Sequence, residues 1–389
     1  MESQENNEEI NRNEYLNGNK MLLHKLNTTS PSNMSEIPST NLLPRNTINL
    51  LTYNFFLRPP PIKTNEDDYK EERLNDFPRF FPDFDIICFQ EMFGSFHNRK
   101  HKMIQNAAEN GFFYHLSSQA PSFFSKYLID GGLLILSRFP IIETKAISYD
   151  YGVMSDSLSM KGALYAKIKI KDNFLCLFST HLQASYFDAG DKLWNFTIST
   201  RIQQTESLIN FIYDTICTLN QSERDKCKFI LCGDFNIDAY NNEDMIDKYK
   251  LPKNEINEYE VFMNKLSMLG KVVDIMKNKY KKHPFTFGVN EDEFDKVLTG
   301  KEDFNSHQAL DYIFEIIPDY SLPIYEQINL SDHSTTAEAD ALLSDNAQTK
   351  QIEVLYDTAN VEHFLVKDRP YQQLSDHFGV SVSLSYKAS

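Results

Sequence analysis

The stretch "CKFILCGDFN" (227–236) is the feature that most constrains what this chain can fold into. A short apolar run closed by a turn reads as a buried strand, and its polar residues, Asp234 and Asn236, then sit at the strand's carboxyl end. Open sheets commonly carry their chemistry there. The layout recurs along the chain. "TINLLTY" (47–53) leads to Asn54, "FDIICF" (84–89) to Gln90 and Glu91, and "FLCLFS" (174–179) to Thr180 and His181. "LDYIFEI" (310–316) carries Asp311, and Ser375, Asp376 and His377 precede "FGVSVSLSY" (378–386). Taken singly, each is a turn residue, a solvated charge or a loop histidine. Recurrence at so many strand ends points to a pocket built by converging loops.

Further runs rich in β-formers are "DGGLLILSRFPII" (130–142), "GALYAKIKI" (162–170) and "IEVLYDT" (352–358). Helical spacing predicts helices over 199–216 and over 255–270, the second closing on Gly270. Strands outnumber helices, which predicts an α/β sandwich of two sheets with helices outside. Residues 1–45 are rich in Asn, Ser, Thr, Glu and Pro and read as a disordered polar leader. A single catalytic domain is expected over 46–389, with polar insertions near 288–306 and 331–350.

The net charge of −16 tilts against a partner such as nucleic acid, because backbone phosphate binding rests mostly on Lys and Arg. No stretch approaches the roughly 20 apolar residues of a spanning helix, and the amino terminus lacks the apolar core of a signal peptide. Five cysteines without a CxxC pair read as free thiols in a reducing compartment. A cytoplasmic protein with peripheral membrane contact and no obligate protein partner is the expectation.

The strand-end residues form a chemical inventory. Glu91 is a carboxylate suited to a hard metal ion. Asn54 and Asn236 are amide ligands, Asp234 is an acid beside the reaction centre, and Asp376-His377 is an acid–imidazole pair. Mg²⁺ needs few protein ligands and keeps several waters. Such a site clamps phosphate oxygens while a His or Asp base activates water for in-line attack.

"TYNFF", "FQEMF", "STHLQA", "GDFNIDA", "LDYIF" and "LSDHFGV" occur in the order and approximate spacing of the endonuclease/exonuclease/phosphatase superfamily, which the chain resembles from about 47 to 387. The resemblance implies a four-layer deoxyribonuclease-like α/β sandwich of two mostly antiparallel sheets flanked by helices. It implies Glu91 as the main Mg²⁺ ligand, with Mn²⁺ as the alternative ion, and Asn54 and Asp376 beside it. It also implies Asp234 on the attacking water, Asn236 and His181 on phosphate or leaving oxygens, and His377 as base or phosphate contact, held in its tautomer by Asp311. "LSDH" occurs at both 330–333 and 374–377. The second is followed by a strand with alternating faces, so Asp376 and His377 are assigned there.

Within the superfamily, "STHLQA", "DGGLLILSRFPI" and "DSLSMKGALYAKI" resemble neutral sphingomyelinases most. That implies cleavage of sphingomyelin, or a related choline phospholipid, to ceramide and phosphocholine. It also implies that Asp156 and Lys161 form a switch, paired in one state and engaging the site in another. Phe123 and Phe124 lie in a polar context and read equally as membrane-facing or as core residues, whereas Phe112 and Phe113 are expected in the core. The competing readings are a phosphoinositide phosphatase using Arg99, Lys100 and Lys102, a nuclease, and a scaffold without catalysis.

Overall fold

The computed structural model describes residues 46–60, 62, 67–186, 192–241, 243, 246, 257–288, 298, 306–322, 324 and 352–387. The expected leader, the first "LSDH" and nearly all of the two expected insertions lie outside the described residues. From Asn46 onward the chain groups as one unit by its internal contacts.

One sheet holds β1 (Thr47–Leu57), β2 (Ile86–Met92), β3 (Tyr114–Ser117), β4 (Leu134–Ser137), β11 (Ile352–Glu362) and β12 (Gly379–Tyr386), ordered β11-β12-β1-β2-β4-β3. The other holds β5 (Ile141–Ser148), β6 (Gly162–Ile170), β7 (Asn173–His181), β8 (Cys227–Asp234), β9 (Gly270–Asp274) and β10 (Asp311–Pro318), ordered β5-β6-β7-β8-β10-β9. The described helices include α1 (Lys70–Asp76), α2 (Arg99–Glu109), α3 (Lys192–Cys217), α4 (Gln221–Arg224), α5 (Glu258–Leu266) and α6 (Ile275–Tyr280).

The apolar runs lack strict alternation because both faces of each sheet are covered. Along β8, Ile230 and Cys232 face the other sheet, where they meet Leu50, Ile86, Cys88 and Ile135. Phe229 and Leu231 face outward, onto Leu208 and Ile212 of α3 and Phe262 and Leu266 of α5. The first sheet does the same: Tyr53, Phe89 and Leu136 pack outward against Leu74 of α1, Phe77, Phe81 and Met103 of α2. Each fully buried aromatic ring of this kind contributes about 1.5–3 kcal/mol. The layers are therefore helix, sheet, sheet, helix.

Most strand pairs are antiparallel, but β1 runs parallel to β2 and β7 to β8. Parallel neighbours end at the same edge. Asn54 pairs with Gln90, next to Glu91, and His181 pairs with Asp234. Antiparallel β10 then begins where β8 ends, so Asp311 lies beside Asp234. Topology alone brings these strand ends to one place.

The run 130–142, read from sequence only as rich in β-formers, contributes to two strands. β4 and β5 belong to opposite sheets, separated by Arg138-Phe139-Pro140. Pro140 has no N–H to continue a ladder and marks the crossing. Phe112 is buried as expected, but Phe113 is 56% exposed, because the two lie at the α2–β3 turn and only one can point inward.

Candidate active site

Asn54 is the hub. β1 loses its regular register after Asn54, and Phe56 adopts a left-handed backbone conformation. This irregularity lets the Phe56 N–H return to Asn54 Oδ1 at 3.1 Å, which fixes the amide so that its nitrogen faces the site. Asn54 Nδ2 donates to Asp234 Oδ2 at 2.9 Å and to Glu91 Oε1 at 3.3 Å, and lies 3.5 Å from His377 Nε2. The amide oxygen expected to lie near a cation thus accepts one backbone N–H and keeps a second lone pair.

Glu91 has φ 52°, a conformation that costs a non-glycine residue on the order of 1–3 kcal/mol and that clusters at functional sites. It is held by the "DGG" segment. Met92 N donates to Gly132 O at 2.8 Å, and a Cβ on Gly132 would stand 3.2 Å from Glu91 Cα. Asp130 anchors that segment, accepting from Gly94 N, Ser95 N and Gly132 N and from Lys100 Nζ at 2.7 Å. Gly233 is needed for a similar reason, since a Cβ there would meet Thr180 O at 2.0 Å.

Asp234 Oδ1 accepts from Asn236 N at 2.9 Å, and Asn236 Nδ2 donates to Leu182 O. Burial, reinforced by Asp311, pushes the Asp234 carboxyl up to about 6. His377 Nδ1 stands 2.9 Å from Asp311 Oδ2. A carboxylate only accepts, so Nδ1 carries the proton and Nε2 faces Asp234 at 3.8 Å. Burial lowers the His377 pKa, but the Asp311 and Asp234 carboxylates outweigh it and raise it to about 10. Asp376 is pushed up to about 7, chiefly by burial, with Glu91 adding repulsion.

Two buried carboxylate oxygens, Glu91 Oε2 and Asp311 Oδ1, have no hydrogen-bond partner among the described residues. An unpaired buried carboxylate is costly, and a cation is the natural complement. Glu91 and Asp376 supply hard oxygen donors of the kind a divalent ion takes. Asp234, Asp311 and His377 also present ligand atoms within 4.8 Å of one another. The donor set fits a divalent metal.

No family model matches the chain. Over 87% of its length, and 98% of the relative's, it is 26% identical to a sphingomyelinase of Dictyostelium discoideum. The chain is homologous to sphingomyelinases. Among solved structures, sphingomyelinase C from Streptomyces griseocarneus superposes with a TM-score of 0.54 at 17% identity, covering 87% of this chain and 99% of that one. Beta toxin from Staphylococcus aureus with bound magnesium ions does so at 0.53, with the same identity and coverage. These likenesses give the fold, a deoxyribonuclease-like α/β sandwich.

Around this core the chain carries the Asp156–Lys161 pair. Lys161 uses all three ammonium protons: to Asp156 Oδ2 at 2.7 Å, to Leu182 O at 2.8 Å and to His181 Nε2 at 3.1 Å. Pairing with Asp156 and engagement with the site, expected in separate states, coexist here. His181 Nε2 also lies 3.5 Å from Asp234 Oδ2, but this is no ion pair. Burial, Lys161 and His377 all hold the His181 pKa well below its usual value, so the ring stays neutral and accepts from Lys161.

Phe123 and Phe124 are 95% and 94% exposed and pack edge-to-face on each other. Leu128, Tyr151, Met154 and Leu158 are exposed as well. The main chain ties these two segments together, with Leu128 N donating to Leu158 O at 2.8 Å. The basic residues after Glu91 are all paired: Arg99 and Lys102 with Glu71, Lys100 with Asp130. They offer no open cluster for a phosphoinositide head group. No described helix is long and apolar enough to cross a membrane.

Sequence reading missed Arg73. Fully buried on α1, it donates to Phe55 O, Phe56 O, Asp68 O and Leu374 O, joining the end of β1 to the turn that carries Asp376 and His377. Nothing in "KEERLND" distinguishes it from its charged neighbours. Its partners are main-chain carbonyls, which leave no residue-type signal.

Proposed function

We propose that the chain is a divalent-metal-dependent phosphodiesterase of the phospholipase C type that hydrolyses sphingomyelin to ceramide and phosphocholine. The observation that carries the reading is the single Asn54 amide reaching Glu91, Asp234 and His377 at once. Homology over nearly the whole length of a sphingomyelinase supports the substrate.

Asp234, with its pKa near 6, is ionised at neutral pH and accepts the proton of the attacking water. Asn54 and the Asn236 N–H hold its carboxylate in place. His377 is cationic with its Nε2 turned to the same space, and it donates to a phosphoryl oxygen while Asp311 fixes the ring. Asn236 and neutral His181 orient the remaining oxygens. The bond from water oxygen to phosphorus forms, the bond to the ceramide oxygen breaks, and the alkoxide takes up a proton. Glu91 and Asp376 would hold Mg²⁺, which when bound would supply Lewis-acid neutralisation of charge on the phosphoryl group. Lys161, with Asp156, sets the charge at the edge of the site.

The exposed Phe123, Phe124, Leu128, Tyr151, Met154 and Leu158 contact the lipid surface. The test is phosphocholine release from sphingomyelin in mixed micelles with Mg²⁺ or with EDTA. Release that EDTA abolishes is expected. Failure with sphingomyelin alongside release of phosphate from phosphoinositides, or of nucleotides from nucleic acid, would refute the substrate. Replacing Phe123 and Phe124 by Ser is expected to weaken vesicle binding and vesicle turnover while sparing a short-chain soluble substrate. Equal loss on both substrates would sink the membrane contact.

A further inference from the structure

We infer that Thr286 is a positioning residue for the Asp311–His377 pair, acting with the ring of Phe287. This deepens the reading above and rests on it. Asp311 opens β10 in one sheet, whereas His377 precedes β12 in the other, 66 residues away. Their hydrogen bond does not explain what holds the two backbones at the right separation.

The segment Thr286-Phe287-Gly288 lies between them. Thr286 is buried, and its Oγ1 accepts from both Leu310 N at 3.0 Å and Asp311 N at 3.1 Å. Its main-chain carbonyl accepts from Phe378 N at 2.7 Å. One residue therefore grips Asp311 through its side chain and the neighbour of His377 through its backbone. Phe287 exchanges both main-chain hydrogen bonds with Gln308 and bridges to His377, and its ring lies 4.9 Å from the imidazole. Gly288 closes the segment at φ 88°, where a Cβ would meet Ser306 O at 1.7 Å.

The chemistry requires a hydroxyl. Two buried N–H groups point at one acceptor, and an apolar residue of the same shape leaves both without a partner. The start of β10 then shifts to find new acceptors and carries the Asp311 carboxylate away from Nδ1. Serine keeps the acceptor; valine keeps the shape and loses it.

The test compares Thr286→Ser and Thr286→Val with the unaltered chain. The first readout is the far-downfield Nδ1 proton of His377, observed by NMR in metal-free, histidine-labelled protein. The second is kcat and KM for phosphocholine release. The unaltered chain and Thr286→Ser are expected to keep the resonance. Thr286→Val is expected to lose it, with kcat down by about a hundredfold and KM unchanged. A valine variant that keeps both the resonance and kcat overturns the assignment. Should that variant fail to fold, Phe287→Leu decides. Shifted His377 ring-proton resonances and lower kcat support the positioning role, and unchanged values refute it. The NMR readout needs no substrate, so it remains decisive even if sphingomyelin proves to be the wrong lipid.

Discussion

Among the described residues, two buried histidine–aspartate pairs have the same separation. His377 Nδ1 stands 2.9 Å from Asp311, and His283 Nε2 stands 2.9 Å from Asp274. They differ in what is left over. Asp274 also accepts from the Tyr259 hydroxyl and caps α6 through Lys277 N, so both carboxylate oxygens are engaged. Asp311 keeps an oxygen without a partner among the described residues, and the second nitrogen of His377 faces Asp234 and Asn54. A saturated pair is scaffold; an unsaturated one has capacity left for a ligand.

Replacing each histidine by alanine breaks the comparison most sharply. His377→Ala is expected to lower phosphocholine release by about 10²–10⁴-fold, the usual scale for losing a proton-transfer or charge-stabilising group. His283→Ala is expected to keep turnover per folded molecule. Equal losses would erase the distinction. Stability should show the reverse. Asp274→Ala removes a helix cap and strands the buried Tyr259 and His283 groups, a loss of about 3 kcal/mol by denaturant titration. Asp311→Asn is expected to cost less stability than that while removing most activity. A larger stability loss at Asp311 would make that pair structural too.

The most gradual effect is a slope with pH. In metal-free protein, Asp234 and Asp376 are pushed up to about 6 and about 7, and His377 to about 10. All three bind protons more tightly folded than unfolded. The His377 contribution is complete below its unfolded value near 6.5 and is lost as pH rises through about 10. The two carboxyls likewise lose stability as pH rises from about 4 to 6 or 7. Each group contributes at most about 1.4 kcal/mol per pH unit within its window. Mg²⁺ is expected to remove the carboxylate portion, because it favours the ionised acids. A chemical-denaturation series across pH, with and without Mg²⁺, checks this. A carboxylate window that persists at saturating Mg²⁺ would place the ion elsewhere.

Much of this was legible in the chain. Apolar runs ending in Asn54, Glu91, His181 and Asp234, and the run that Asp311 opens, encode strands whose ends carry chemistry, since burial on both faces requires unbroken apolar sequence and the polar residues can only flank it. The two-sheet sandwich and the sphingomyelinase likeness followed from the same residues. The chain did not reveal that 130–142 crosses between sheets, because a run of β-formers reads alike whether its halves share a sheet or not. Nor did it mark Arg73 or Thr286, whose partners are backbone atoms that every residue possesses. Tertiary structure also decided which aspartate next to a histidine is saturated and which is open. Sequence supplies the functional groups, but unused hydrogen-bonding capacity is a property of the surroundings, and only the packed fold sets those.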